Sequence, residues 1–184
     1  SEDPWHRGAM SVAFISGAQN HVLASPKHFA LNNLEITRFD LSANIDVRTL
    51  HEVYLPHFKR SIQEAAAGSV MSAYNKVNDV YCGEHSILLT DILRDDWGFT
   101  GFVESDWFLG TRSTAAAINA GMDIEMPGAH WYSEESINEA LARGELDEAA
   151  ITRNARRVVY QNVAWAIADM EVPDARVVER EEHI

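Results

Sequence analysis

Gly101-Phe102-Val103-Glu104-Ser105-Asp106-Trp107-Phe108 is the stretch on which the fold turns. Residues 102–105 are apolar and β-branched enough for a buried strand, and the strand runs into an acid and a tryptophan before turn chemistry at Gly110. In an alternating β-α architecture the carboxyl ends of the strands face the ligand, so an acid delivered there is a candidate for chemistry. Taken alone, the segment also admits a solvated loop aspartate. The flanking chain has to decide between the two.

Working outward, a strand-then-helix unit repeats on both sides. Immediately upstream, Ser86 starts a helix through Ile87, Leu88, Leu89, Ile92, Leu93 and Trp97, with Gly98 as its left-handed cap. Residues 69–74 read as a strand before it, followed by a loop over 75–83 that contains Asn78-Asp79. Asp46 caps a helix reaching Ala67 through Leu50, Val53, Leu55, Phe58, Ile62 and Ala65, with a kink expected at Pro56, whose ring removes one helical hydrogen bond. Residues 21–29 form a further strand, which carries Lys27 and His28 to its carboxyl end. The polar run 32–44 is a long connection, a length that usually marks function. Pro4 opens the first helix, with Glu2 and Asp3 ahead of it and Met10, Phe14, Ile15 and Ala18 as its apolar stripe.

Downstream, residues 114–120 form an alanine-rich helix stopped by Gly121, and 122–127 a short strand ending in Glu125-Met126-Pro127. Ser133 caps a helix that ends near Arg143-Gly144. Asp147 caps an amphipathic helix through Ile151, Ala155, Val158, Asn162 and Ala166, and the tail from Glu171 is charged and aperiodic. The order is one helix, then four consecutive β-α units, which implies an α/β fold with a parallel sheet. Four units are half of a (β/α)8 barrel, a fold that takes about 250 residues.

Composition narrows the function classes. Of 184 residues 46% are hydrophobic, enough for one domain with a real core. The net charge of −13 argues against nucleic acid and against an anionic membrane surface, because phosphate binding needs clustered Lys and Arg. A lone Cys82 excludes an internal disulfide and a multi-cysteine zinc site, and no cofactor is expected. No apolar run is long enough to span a bilayer. The start, Ser-Glu-Asp-Pro without an initiator Met, leads us to expect that the chain begins inside a larger protein, so the compartment stays open.

Four motifs now stand in order: Lys27-His28-Phe29 with Asn32-Asn33-Leu34-Glu35 and Arg38; Ser69-Val70-Met71-Ser72-Ala73-Tyr74-Asn75; Gly98-Phe99-Thr100-Gly101 leading to Ser105-Asp106-Trp107; and Gly121-Met122-Asp123-Ile124-Glu125-Met126-Pro127. In these the chain resembles glycoside hydrolase family 3, the β-glucosidase group, over nearly all of residues 1–168. The resemblance implies that this chain is the second half of the family's N-terminal catalytic barrel over 1–170, and residues 171–184 read as a charged tail or linker stub. It implies hydrolysis of a β-glucoside or related small carbohydrate with Asp106 as nucleophile. It also implies a sugar subsite lined by Lys27, His28, Arg38, Met71 and Tyr74, with Trp107 offering a face for a sugar ring.

The chemistry agrees with that assignment. A retaining glycosidase needs an ionised carboxylate to attack the anomeric carbon, about 5 to 5.5 Å from a protonated carboxyl that serves the leaving oxygen. Lys27 and Arg38 are expected to keep Asp106 ionised and to donate to sugar hydroxyls. Glu104 should share the inward strand face with Asp106 one layer deeper, where it needs a cation or another strand's polar group as partner, Lys27 being the nearest candidate. Outside the family pattern, His28 reads equally as a core imidazole, Met71 as packing and Trp107 as a core aromatic. No residue maps onto the family's acid/base, which is expected outside this chain; Glu35, Glu84, Glu104 and Glu125 are the carboxylates left if it is not. The first half of the barrel would precede Ser1, so the chain should need that half or pair as a homodimer, and alone should be nearly inactive. A non-catalytic carbohydrate-binding or interaction half barrel is the rival reading. A phosphate-binding barrel finds no support, since this sequence shows no glycine-rich loop at a helix start.

Overall fold

The computed structural model describes residues 2–165, so the expected charged tail at 171–184 and Ala166 lie outside the described residues. Helix α1 (Pro4–Ala18) begins where Asp3 accepts hydrogen bonds from the backbone of Trp5 and His6, with Pro4 in the first turn, where its missing N–H costs nothing. The expected stripe is rotated. Met10 and Phe14 face outward, while Gly8 and Ile15 are buried and Ser11 meets Ser61 at 2.7 Å on the neighbouring helix. Gly8 is the close-approach point there, since a Cβ would run into the side chain of Arg60.

The single helix expected over 46–67 is three pieces. Asp46 caps α2 (Val47–Thr49), accepting from the Thr49 N–H at 2.9 Å; a wide π-type turn covers Leu50–Tyr54; and α3 (Pro56–Gln63) restarts with Pro56 at its head. A proline that cannot donate into the preceding turn thus produces a restart rather than a kink. Leu50, Leu55, Phe58 and Ile62 enter the core, and Val53 does not.

The central sheet is parallel. Strand β2 (Ser69–Met71) pairs with β5 (Phe102–Glu104) in the register Val70↔Val103 and Met71↔Glu104. On the outer side of β2 runs the segment 24–29: Ser69 and Met71 donate to the carbonyls of Ala24 and Pro26, and Phe29 bridges Ser72 in parallel. Pro26 cannot donate, which breaks up the ladder expected over 21–29. On the outer side of β5, Ile124 bridges Glu104, and the carbonyl of Val103 receives the N–H groups of Asp123 and Ile124. Four parallel segments therefore lie side by side in chain order. Ser25 Oγ reaches over the intervening β2 to Glu104 Oε1 at 2.6 Å, a contact between alternate segments of the kind that fills a barrel interior in layers.

The two polar connections carry short strands of their own. Strand β1 (Ser42–Ala43) pairs in parallel with β3 (Lys76–Val77), and β3 pairs antiparallel with β4 (Val80–Tyr81). Asn78 and Asp79 both have positive φ, as a two-residue hairpin turn with the sheet's twist requires. The Asn78 side chain clips Ile45 on both its N–H and its C=O.

The helix after β4, at Ile87–Asp96, is π-wound and ends at Gly98, where φ is +75°. Its first turn is served by His85, whose Nδ1 accepts from Leu88 N–H, and not by the Ser86 side chain. Helix α4 (Ala115–Ala120) stops at left-handed Gly121. Ser133 and Asp147 cap α5 (Glu134–Ala142) and α6 (Glu148–Ala164) as expected. On α6, however, the buried positions are Ala150, Asn154 and Gln161, so the inward stripe is one residue earlier than expected. Val159, Tyr160 and Val163 are exposed.

Candidate active site

Past β5, Ser105 anchors the chain to the next segment: its N–H donates to the Ile124 carbonyl at 2.9 Å, and its hydroxyl accepts from Met126 N–H at 2.9 Å. Asp106 follows and is only 8% exposed. Its Oδ1 accepts from the Trp107 N–H at 2.8 Å, and its Oδ2 lies 3.3 Å from His28 Nε2. The chain then folds back, with Phe108 at φ +61° and its N–H on the Met126 carbonyl. The return is tight enough that a Cβ at Gly110 would come within 2.6 Å of the Asp106 nitrogen. Glycine is there because backbone passes backbone.

The groups predicted for the sugar subsite gather at this end of the sheet to different degrees. His28 touches Asp106, and burial lowers its pKa, with Lys27 adding to the effect and Asp106 and Glu35 opposing it. Tyr74 donates its hydroxyl to the Trp107 carbonyl at 2.8 Å, and burial, with the Asp106 carboxylate second, pushes the phenol up to about 12, so it stays protonated. The Arg38 guanidinium packs 4.8 Å from the Tyr74 ring centre and 5.0 Å from that of Phe39. Met71 is buried in β2 beside Glu104, and Trp107 is partly exposed.

Two expectations need correction. Arg38 is ion-paired with Glu35 at 2.6 Å, and Lys27 is exposed and makes no hydrogen bond or ion pair among the described residues, so the Asp106 carboxylate is met by a backbone N–H and an imidazole instead. Glu104 takes the second kind of partner expected for it, a polar group of another segment, in Ser25, and not the nearest cation Lys27.

Three features escaped the sequence reading. Glu125 is buried and accepts from the backbone of His130 and Tyr132 at 2.9 and 2.8 Å, which orders the loop beyond Pro127. Its run stood in the fourth motif, but nothing in the sequence specified its backbone partners. Ser25 is the second. The third is at the opposite end of the sheet, where Asp123 binds Arg94 at 2.6 Å, Arg157 at 3.1 Å and the Val103 N–H at 2.7 Å. Burial opposes both charges of the inner pair, pushing the Arg94 guanidinium down to about 10 and the Asp123 carboxyl up. Residues 94, 123 and 157 are too far apart in sequence for any spacing rule to link them.

Residues 1–161 match the model of the glycosyl hydrolase family 3 N-terminal domain. The chain belongs to glycoside hydrolase family 3. Within that family it is 45% identical over 160 residues to a β-glucosidase of Rhizobium radiobacter, covering 86% of this chain and 19% of that enzyme. It is 38% identical over 160 residues to thermostable β-glucosidase B of Acetivibrio thermocellus, covering 86% and 21%. Among solved structures, β-glucosidase from Kluyveromyces marxianus in complex with glucose superimposes with a TM-score of 0.92 at 33% identity, over 100% of this chain and 23% of that one. β-Glucosidase 3B from Thermotoga neapolitana in complex with glycerol gives 0.85 at 35% identity, over 96% and 26%. The family 3 chain described here thus spans about a fifth of the length of the relatives it matches. The fold is α/β, of the TIM-barrel type seen in the family's N-terminal domain.

Proposed function

We propose that the protein carrying this chain is a β-glucosidase-like retaining glycoside hydrolase, and that this chain is the second half of its catalytic barrel with Asp106 as the nucleophile. The observation that carries the reading is the setting of Asp106: buried, at the carboxyl end of β5, with one oxygen fixed by a backbone N–H and the other facing His28. An oxygen so held is aimed rather than freely rotating, which is what attack on an anomeric carbon needs. Neutral Tyr74, His28 and unpaired Lys27 stand as donors for sugar hydroxyls, Arg38 completes that edge, Met71 backs it, and Trp107 supplies an apolar face. The barrel half is supported by four parallel segments in chain order and by the Ser25–Glu104 layer contact.

The acid/base belongs outside this chain. Of the four candidate carboxylates Glu35 is taken by Arg38, Glu104 by Ser25 and Glu125 by two backbone N–H groups, which leaves Glu84, whose buried Oε1 has no hydrogen-bond partner, as the one to test by Glu84→Gln if an acid within this chain is required. The test is hydrolysis of an aryl β-glucoside whose leaving group needs little acid assistance. The wild-type protein should release the phenol and Asp106→Asn should not, with the fold unchanged by circular dichroism. Binding of glucosides without any turnover would overturn the reading in favour of a carbohydrate-binding module.

A further inference from the structure

At the end of the sheet remote from Asp106, a groove of about 810 Å³ opens between α6 and the loop that leads into β5. Arg153, Arg156 and Arg157 of α6 line it together with the hydroxyl-bearing Thr100, Thr152 and Tyr160, and Glu148 is the one carboxylate in its lining. Arg157 spends its Nη1 on Asp123 and Asn154. Arg153 and Arg156 are exposed and make no hydrogen bond or ion pair among the described residues. Elsewhere Arg48, Arg60 and Arg143 each hold a glutamate four residues away. Around Arg153 and Arg156 the positions three and four residues off carry alanine, threonine, valine, tyrosine or another of these arginines, so nothing on the helix offsets their mutual repulsion. The charge also reaches inward. Arg94, whose pKa is lowered first by burial, is lowered further by Arg157 and Arg153.

The net charge of −13 therefore hides a local excess of positive charge. Guanidinium forks match the oxygens of a phosphate group, hydroxyls between them add further donors, and the volume falls in the range of small-molecule sites. From this unneutralised, hydroxyl-lined cluster we infer a second ligand site on this chain, which takes a soluble phosphate compound, pyrophosphate-like in chemical class. Arg153 and Arg156 are its anchors, and Arg157 joins the ligand to the buried Asp123 pair. No group of the candidate active site takes part. A bilayer phosphate is the wrong source, because the rest of the chain repels an anionic surface.

The protein carrying this chain is titrated calorimetrically with inorganic pyrophosphate at fixed ionic strength. The wild type should bind it saturably, and the double variant Arg153→Gln/Arg156→Gln should bind at least about tenfold more weakly, the size of one or two lost charge-assisted hydrogen bonds. Arg153→Lys/Arg156→Lys, which keeps the charges without the forks, should fall between the two. Melting temperatures without pyrophosphate should agree across the three proteins, since neither side chain has a partner to lose. Succinate, which offers two carboxylates and no tetrahedral centre, should bind the wild type at least about tenfold more weakly than pyrophosphate. Absence of saturable pyrophosphate binding, or equal affinity in the glutamine variant, overturns the site. Equal binding of succinate overturns the phosphate class, and sedimentation with phosphatidic acid vesicles without binding of soluble pyrophosphate overturns the soluble source.

Discussion

Lys27 differs from its neighbours in that removing its charge should cost the fold nothing, because it has no partner among the described residues. If it donates to a sugar hydroxyl, Lys27→Ala should lower kcat/KM by about 10- to 100-fold, the worth of one charged hydrogen bond, at unchanged melting temperature. A fall in melting temperature with unchanged efficiency would make it a structural residue. Gly110 has the opposite character. Any side chain there collides with the Asp106 backbone, so if Asp106 is the nucleophile Gly110→Ala should displace the carboxylate and abolish hydrolysis of an aryl β-glucoside even where the variant stays folded by circular dichroism. At this scale the sequence was informative about which residues meet and poor about how. The four motifs brought His28, Tyr74 and Asp106 together, but motif spacing does not carry side-chain partners, so Lys27 was matched to a carboxylate that Ser25 already holds.

Caps and glycine stops were legible at the level of elements, because they are local chemistry: Asp46, Ser133 and Asp147 cap, and Gly98 and Gly121 terminate in the left-handed region. Stripes were not. On α1 and α6 the faces that dock carry Gly8, Ser11, Asn154 and Gln161, so counting apolar positions pointed outward. Polar groups inside those faces are satisfied, as where Asn154 donates to the carbonyls of Ile118 and Met122. The same blindness hid Asp123. Asp123→Asn strips the compensating charge from two guanidinium groups, one of them fully buried, and should cost about 3–5 kcal/mol in denaturant unfolding. In α3, burial, helped by Arg7, lowers the His57 pKa to about 4. The unfolded chain accepts a proton below about 6.5 and the folded one resists it, so stability should drop as pH falls from about 6.5 toward 4. Urea midpoints measured across that window should flatten in His57→Leu; an unaltered slope would remove His57 as the cause.

For the whole molecule, the outward faces set the expectation. Val159, Tyr160 and Val163 on α6, with Trp5, Met10 and Phe14 on α1, expose apolar side chains on two helices. Surface of this kind usually has something to cover it. In isolation the chain should therefore self-associate, and light scattering should report a mass that rises with concentration, falling back on addition of the remaining barrel half. A monodisperse monomer with full glucosidase activity would refute the half-barrel reading. Sequence could reach this scale only through the count of β-α units and the family resemblance, since nothing in a chain's own periodicity says which surfaces another segment covers.

The Arg94–Asp123–Arg157 cluster ties helices to sheet at the end remote from Asp106. Such a division of labour matters to anyone diversifying this scaffold. Libraries confined to 107–109 and 126–131 should yield folded clones at high frequency, while the same mutational load spread over residues around 94, 123 and 157 should return insoluble protein. What resists change and what invites it lie at opposite poles of one sheet.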